Sequence, residues 1–495
     1  MPTKPMSVTP EKEFSHVSRI IPVLVSAALA TLSLAAEAQQ NQGAMAGMGG
    51  MGGSRLGGYT EPPPAGRVPD HPLDIVLGRP TDDSVTVSAL VYDDREAYVA
   101  YGSQSGDYDR RTDPVQLAAG EPLELALTGL AGNTRYYYRL RHRGAGEESY
   151  ESTGEYSFHT QRQAGDSFVF TIQSDSHLDE NTDGAVYANT LTNALADRPD
   201  FHVAMGDAFM TGKYIDYRNS EAAYLAQRYY FGLLSHSAPL FFALGNHDGE
   251  RGNQNPDMVL WSANARKNYF PNPFPDGFYS GNENEEPGIG LVEDYYSWEW
   301  GNSLFVVLDP FRYELPRSED NWWVSLGSDQ YEWLRQTLAG SDATFKFVFI
   351  HHLVGGIESN RGGAEASQYF EWGGKDFDGN DRFAQERPGW EMPIHDLLVR
   401  HDVSIVFHGH DHMYIQQERE GIVYQLMPQP GHPRGSINSA EPYGYLSGTA
   451  VAGSGHVRVA VAEDEVRVDY IRSALPGNAL GPNREIVHSY TLDAR

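Results

Sequence analysis

The stretch Phe168-Val169-Phe170-Thr171-Ile172-Gln173-Ser174-Asp175-Ser176-His177 decides the fold. A short, mainly apolar run ends in hydroxyl, carboxylate and imidazole side chains. The arrangement recurs along the chain. Phe201–Ala204 leads into Met205-Gly206-Asp207, Leu240–Leu244 into Gly245-Asn246-His247-Asp248, and Phe345–Ile350 into His351-His352. Val403–Phe407 leads into His408-Gly409-His410-Asp411-His412. Leu304–Leu308 and Ile422–Leu426 are further apolar runs, and helix-like periodicity occupies Ala185–Ala196, Ser220–Leu234, Asp329–Leu338 and Met392–Arg400. Nearly continuous apolar runs mark strands covered on both faces, so the pattern predicts an α/β fold, a sheet layered by helices. In such folds ligands sit beyond the carboxyl ends of the strands. A single His or Asp at a strand end is usually solvated or forms a turn. Five clusters at the same end of a sheet point instead to a shared ligand.

Composition narrows what that ligand is. The chain has no cysteine, so thiolate zinc sites, iron–sulfur clusters and cysteine nucleophiles are excluded. A metal must be held by His, Asp, Glu or Asn, a donor set that suits iron, manganese or zinc. The formal net charge of -30 argues against binding a nucleic-acid backbone, which needs a basic stripe. It is compatible with a small phosphorylated substrate, because bound cations reverse the sign locally. There is no G-x-S-x-G elbow, and no Gly-rich loop ending in Lys-Ser or Lys-Thr.

Upstream, Lys4, Lys12 and Arg19 precede the apolar run Ile20–Ala36, and Ala36-Glu37-Ala38 supplies small residues for cleavage. Residues 1–38 are therefore expected to be a secretory signal peptide, with a periplasmic or secreted product and no membrane anchor after cleavage. Residues 39–66, rich in Gly, Met and Gln, read as a flexible linker. Short runs rich in β-branched and aromatic residues follow at Leu73–Leu77, Ser84–Tyr92, Ala97–Tyr101, Leu123–Leu127, Tyr136–Arg141 and Tyr156–Thr160. They predict a small all-β sandwich over residues 67–162. The segment Leu130–Arg139 resembles the part of a fibronectin type III domain that carries a tyrosine corner. Residues 165–495 make the α/β domain.

The ordered motifs Asp175-x-His177, Gly206-Asp207, Gly245-Asn246-His247-Asp248, His351-His352 and Gly409-His410-x-His412 resemble the calcineurin-like metallophosphoesterases. The resemblance implies a four-layer αββα sandwich and a dinuclear metal centre. With a β-sandwich in front, the layout is similar to purple acid phosphatases and alkaline phosphatase D-type enzymes. It implies that Asp175, His177 and His412 hold one metal ion, Asn246, His351 and His410 the other, and that Asp207 bridges them. Two divalent or trivalent ions about 3.5–4 Å apart would activate a bridging water and clamp a phosphoryl group for in-line attack. His247 is the expected general acid, with Asp248 as its orienting partner. The implied activity is hydrolysis of phosphate mono- or diesters. The alternatives are a nucleotide or pyrophosphate hydrolase and a non-catalytic binding protein on the same fold.

Departures from the family are specific. Purple acid phosphatases use a tyrosine as iron ligand where this chain has Met210, so no iron–phenolate colour is expected. Leu353-Val354 follow the His pair where many relatives have proline, which leaves His352 as an alternative ligand to His351. The Gly-His and Gly-Asn steps are expected to supply the sharp backbone turns at the strand ends. Asp179-x-Asn181-x-Asp183 starts like a calcium loop but lacks its closing glutamate. Asp376-x-Asp378-x-Asn380-Asp381 reads as a solvated acidic loop. The segments Gly249–Trp300 and Gly355–Trp390 are expected to be long loops rimming the site, with Arg251, Arg361 and Lys375 as possible partners of phosphate oxygens.

Overall fold

The computed structural model describes residues 58–495. The expected signal peptide and linker residues 39–57 lie outside the described residues. The following Gly58–Gly66 runs along the α/β part, where Ala65 is buried against Tyr187, Leu191 and Tyr230.

Residues from Leu73 to His159 form the β-sandwich. Leu73–Gly78, Val85–Val91 and Leu123–Leu127 make one antiparallel sheet. Arg95–Gly102 and Arg135–Gly144 are the main strands of the other. Arg135–Gly144 alternates strictly, with Tyr136, Tyr138, Leu140 and His142 buried and their neighbours partly exposed, as a sheet with one wet face requires. The Ala131 N–H donates to the Tyr136 hydroxyl at 2.8 Å, the contact that defines a tyrosine corner.

The α/β part contains two sheets packed face to face. The first runs in the order Leu240–Phe242, Phe201–Ala204, Phe168–Gln173, Ser454–Val461, Glu465–Ser473, Ile486–Asp493. Its first three strands are parallel. The second sheet has Ser303–Val307, Phe345–Ile350, Ile405–His408 and Ile422–Leu426 in parallel at its centre. Between the sheets lies an aromatic core that includes Phe170, Phe201, Trp298, Phe305, Phe347, Phe349 and Phe407. Helices Gly184–Ala196 and Glu221–Ser235 cover the outer face of the first sheet. Helices Ser328–Gly340 and Ile394–Arg400 cover the second. Burial on both faces explains the continuous apolar runs, and the layers are helix, sheet, sheet, helix.

One expectation needs correction. The segment Gly249–Trp300 is not one long loop: it holds the helix Pro256–Tyr269, capped by Asn255, and the strand Tyr296–Trp300. The strands Ser454–Val461 and Glu465–Ser473 form a hairpin inside the first sheet, between Phe168–Gln173 and Ile486–Asp493.

Candidate metal centre

All seven ligand candidates stand at or just past strand ends, and the two sheets bring them to one place. Asp175, His177 and His412 each present a ligand atom within 4.8 Å of the others, and so do Asp207, His351 and His410. Asp207 joins the two groups, since its Oδ2 lies 3.4 Å from His177 Nε2 and 3.4 Å from His351 Nε2. Asn246 Oδ1 is 3.2 Å from His351 Nε2. His412 Nε2 is 3.2 Å from Asp175 Oδ1.

The imidazoles are oriented from outside. His177 Nδ1 faces Asp179 Oδ2 at 3.1 Å, His351 Nδ1 faces the Met205 carbonyl at 2.7 Å, and His410 Nε2 faces the Ser359 carbonyl at 3.0 Å. Donating that N–H to an oxygen turns the other nitrogen's lone pair inward, as a metal ligand requires. Asp175 Oδ1 and His177 Nε2 are buried and make no hydrogen bond among the described residues. Buried polar atoms without partners are costly, and a cation between the two groups satisfies both atoms. The donor set therefore fits the metal ions that the motif order implies. His352 is turned elsewhere: its ring packs edge-on to Phe311 at 4.8 Å and its Nδ1 faces the Leu353 carbonyl. The structure thus brings His351 into the centre and not His352.

The backbone here is unusual. Asp175, His177, Asp207, His410 and His412 have φ of 59°, 55°, 52°, 71° and 62°, in the left-handed region that non-glycine residues avoid. The glycines play a different part from the one expected. Gly206 does have a φ of 87°, but Gly245 and Gly409 are needed for close approach. A Cβ on Gly245 would lie 2.0 Å from Asp207 N, and one on Gly409 would lie 2.0 Å from Ser174 Oγ and 2.6 Å from Asp175 Oδ2.

His247 stands at the edge, with its Nε2 4.0 Å from Asp207 Oδ2 and a quarter of its side chain exposed. Burial pushes its imidazole down, against the opposing pull of Asp207. Asp248 does not orient it. The Asp248 carboxylate accepts the N–H groups of Asp207, Ala208, Phe209 and Gly245 at 2.8–3.0 Å. It thereby ties the turn that carries Asp207 to the turn that carries Asn246. Burial and the nearby Asp207 raise its carboxyl to about 7. Burial alone would lower His351, but Asp207 and Asp175 raise it to about 9. The same negative field favours a bound cation.

Several contributing residues carry no sequence signal that singles them out. Asp179, in the loop that starts like a calcium site, orients His177, and Asp183 caps the helix Gly184–Ala196. Asp411, between two ligand candidates, accepts from Arg361 at 2.5 Å, from Gly362 N at 3.0 Å and from Tyr445 Oη at 2.7 Å. It anchors the loop whose Ser359 carbonyl meets His410. Lys213 reaches Asp179 Oδ2 at 3.3 Å. Of the cations expected at the rim, Arg361 is engaged by Asp411 and Arg251 by the buried Glu314.

Residues 168–414 match the family model of the calcineurin-like phosphoesterases. Among solved structures, one of PhoD aligns with a TM-score of 0.61 and 13% identity, over 89% of this chain and 92% of that one. Purple acid phosphatase PPD1 from seeds of yellow lupin (Lupinus luteus) aligns with a TM-score of 0.56 and 16% identity, over 85% of this chain and 74% of that one. At these identities the likeness is one of fold. A search of curated proteins returns no match. The chain therefore carries a calcineurin-like phosphoesterase domain and belongs among the metal-dependent phosphoric ester hydrolases.

Proposed function

We propose that this protein is an exported phosphoesterase with a dinuclear metal centre, which hydrolyses phosphate mono- or diesters of small substrates. The observation that carries the reading is the buried, unpartnered pair Asp175 Oδ1 and His177 Nε2, set beside a second group that shares Asp207. Asp175, His177 and His412 would hold one ion and Asn246, His351 and His410 the other, with the Asp207 carboxylate between them. Iron, manganese and zinc all suit these donors. When bound, the two ions would supply a water activated near neutral pH and would neutralise charge on the phosphoryl group during in-line displacement.

The remaining work falls to the chain. Asp179, Met205 and Ser359 fix which nitrogen each imidazole presents. Asp248 locks the spacing between the Asp207 and Asn246 turns. His247, partly exposed beside Asp207, is placed to pass a proton to the departing alcohol oxygen. The basic, apolar and Ala36-Glu37-Ala38 pattern of the first 38 residues supports export. Among the described residues no helix is long and apolar enough to cross a membrane.

The test is hydrolysis of p-nitrophenyl phosphate and bis-p-nitrophenyl phosphate after loading with manganese, zinc or iron, against chelated protein and Asp207→Asn. The expected result is metal-dependent turnover that Asp207→Asn abolishes, and the ratio of the two rates separates monoesterase from diesterase. Two ions bound per chain with no turnover of either ester would overturn the reading as a mono- or diesterase.

A further inference from the structure

We infer that Lys213 is the protein cation that binds a non-bridging phosphoryl oxygen of the substrate, held in place by the segment around Tyr59. This inference rests on the phosphoesterase reading above. With two ions bound, a dianionic monoester would still carry a charged oxygen for the protein to meet. Arg361 and Arg251 are poor candidates for that contact. Each already makes a short bond to a carboxylate that is almost fully buried, Asp411 and Glu314 respectively.

Lys213 differs on each count. Among the described residues its Nζ makes a single ion pair, at 3.3 Å, and a third of its side chain is exposed. An ammonium has three N–H donors, so two remain for an incoming oxygen. The carboxylate it touches, Asp179, also takes His177 Nδ1 at 3.1 Å and Asn181 N at 2.9 Å. Lys213 is therefore separated from a ligand candidate by one side chain. The preceding Gly212 N–H donates to the His247 carbonyl at 3.2 Å, so the turn that carries Lys213 lies against the turn that carries His247.

The turn that carries Lys213 is pinned from the N-terminal side. Tyr59 N–H donates to the Lys213 carbonyl at 3.0 Å, and Ile215 N–H donates to the Tyr59 carbonyl at 3.0 Å. The Tyr59 ring meets Tyr214 edge-on at 5.5 Å, and its hydroxyl donates to Glu180. A Cβ on Gly58 would lie 2.8 Å from the Lys213 carbonyl oxygen. The chain just before the β-sandwich thus holds the backbone of the turn that carries the ammonium.

The experiment is calorimetric titration of inorganic phosphate into the full, manganese-loaded protein, with metal content measured on the same samples. Lys213→Met should weaken phosphate binding roughly tenfold or more, the loss expected for one charge-assisted hydrogen bond, while two ions per chain remain bound. Lys213→Arg should recover part of the affinity, and Tyr59→Ala should fall between wild type and Lys213→Met. KM for p-nitrophenyl phosphate should rise more than KM for the singly charged bis ester, with kcat changed less than KM. Unchanged phosphate affinity in Lys213→Met at full metal content would overturn the inference. So would a loss of affinity that follows only lost metal, because Lys213 would then serve Asp179 and His177 alone. Failure of the wild type to bind phosphate would count against the phosphoesterase reading itself, a separate outcome.

Discussion

At the residue scale, the left-handed backbone of Asp175, His177, Asp207, His410 and His412 carries a cost of about 1–2 kcal/mol per residue. Strain of this size concentrates at sites where it aims a side chain that ordinary turns would not aim. The cost can be read out at His412, whose φ is 62°. His412→Ala and His412→Gly both remove the imidazole, so both should lose metal. At an ordinary position the glycine variant would be the less stable of the two. Here the order should invert, with His412→Gly more stable than His412→Ala by about 1 kcal/mol in chelator, measured as a difference in denaturation midpoints. The ordinary order would show that the backbone at this position is relaxed. His247 makes a second residue-scale prediction. His247→Ala should keep both metal ions and slow esters of poor leaving groups far more than p-nitrophenyl esters, which depart without a proton. Equal slowing of both would remove the acid role.

At the scale of elements, the site depends on turns that bring two sheets into contact. Gly409, past the strand Ile405–His408 of the second sheet, touches Ser174 and Asp175 past a strand of the first. Gly409→Ala should push Asp175 off its position, lowering metal content and turnover although every ligand candidate remains. Gly340→Ala is the control: its Cβ would meet nothing within 4 Å, and it should leave metal content and turnover unchanged. Equal metal binding by Gly409→Ala would mean that the turn yields. The part of the fold that was legible in the sequence follows from the same geometry. Runs such as Phe345–Ile350 are buried on both faces and read as strands, and the polar clusters after them mark the site. The helix Pro256–Tyr269 was not legible, because its buried residues are Ser262, Ala263, Arg266 and Tyr269. Arg266 is buried by pairing with Glu250 at 2.7 and 3.0 Å, which removes the apolar stripe that marks a helix. The contact role of Gly409, the turning away of Asp248 from His247 and the place of Lys213 each depend on segments far apart in sequence. Local pattern therefore carries no trace of them.

At the scale of the whole molecule, the β-sandwich is built into the enzyme part rather than tethered to it. Val76 and Leu90 of the sandwich share a core with Tyr224, Phe231 and Leu234. Tyr138 donates to the His236 carbonyl at 2.7 Å, and Tyr279 to the Pro80 carbonyl at 2.5 Å. At the centre of this junction is Arg228, fully buried on the helix Glu221–Ser235. Its guanidinium donates to Ser88 Oγ, the Tyr269 carbonyl, the Asp74 carbonyl and the Ser88 carbonyl at 2.9, 2.8, 3.3 and 3.0 Å. Burial disfavours its charge and lowers its pKa to about 10, partly offset by Asp74 and Tyr92. Four hydrogen bonds to a charged donor, at about 1.5–3 kcal/mol each, oppose that effect. Arg228→Met keeps much of the volume and abandons buried carbonyls on both sides of the junction. It should cost about 3 kcal/mol and weaken the coupling between the sandwich and the α/β part. The wild type should show one calorimetric transition, and Arg228→Met either two transitions or one at lower temperature. Two transitions in the wild type would show that the halves fold independently, and an unchanged melt in Arg228→Met would show that apolar contacts alone hold the junction.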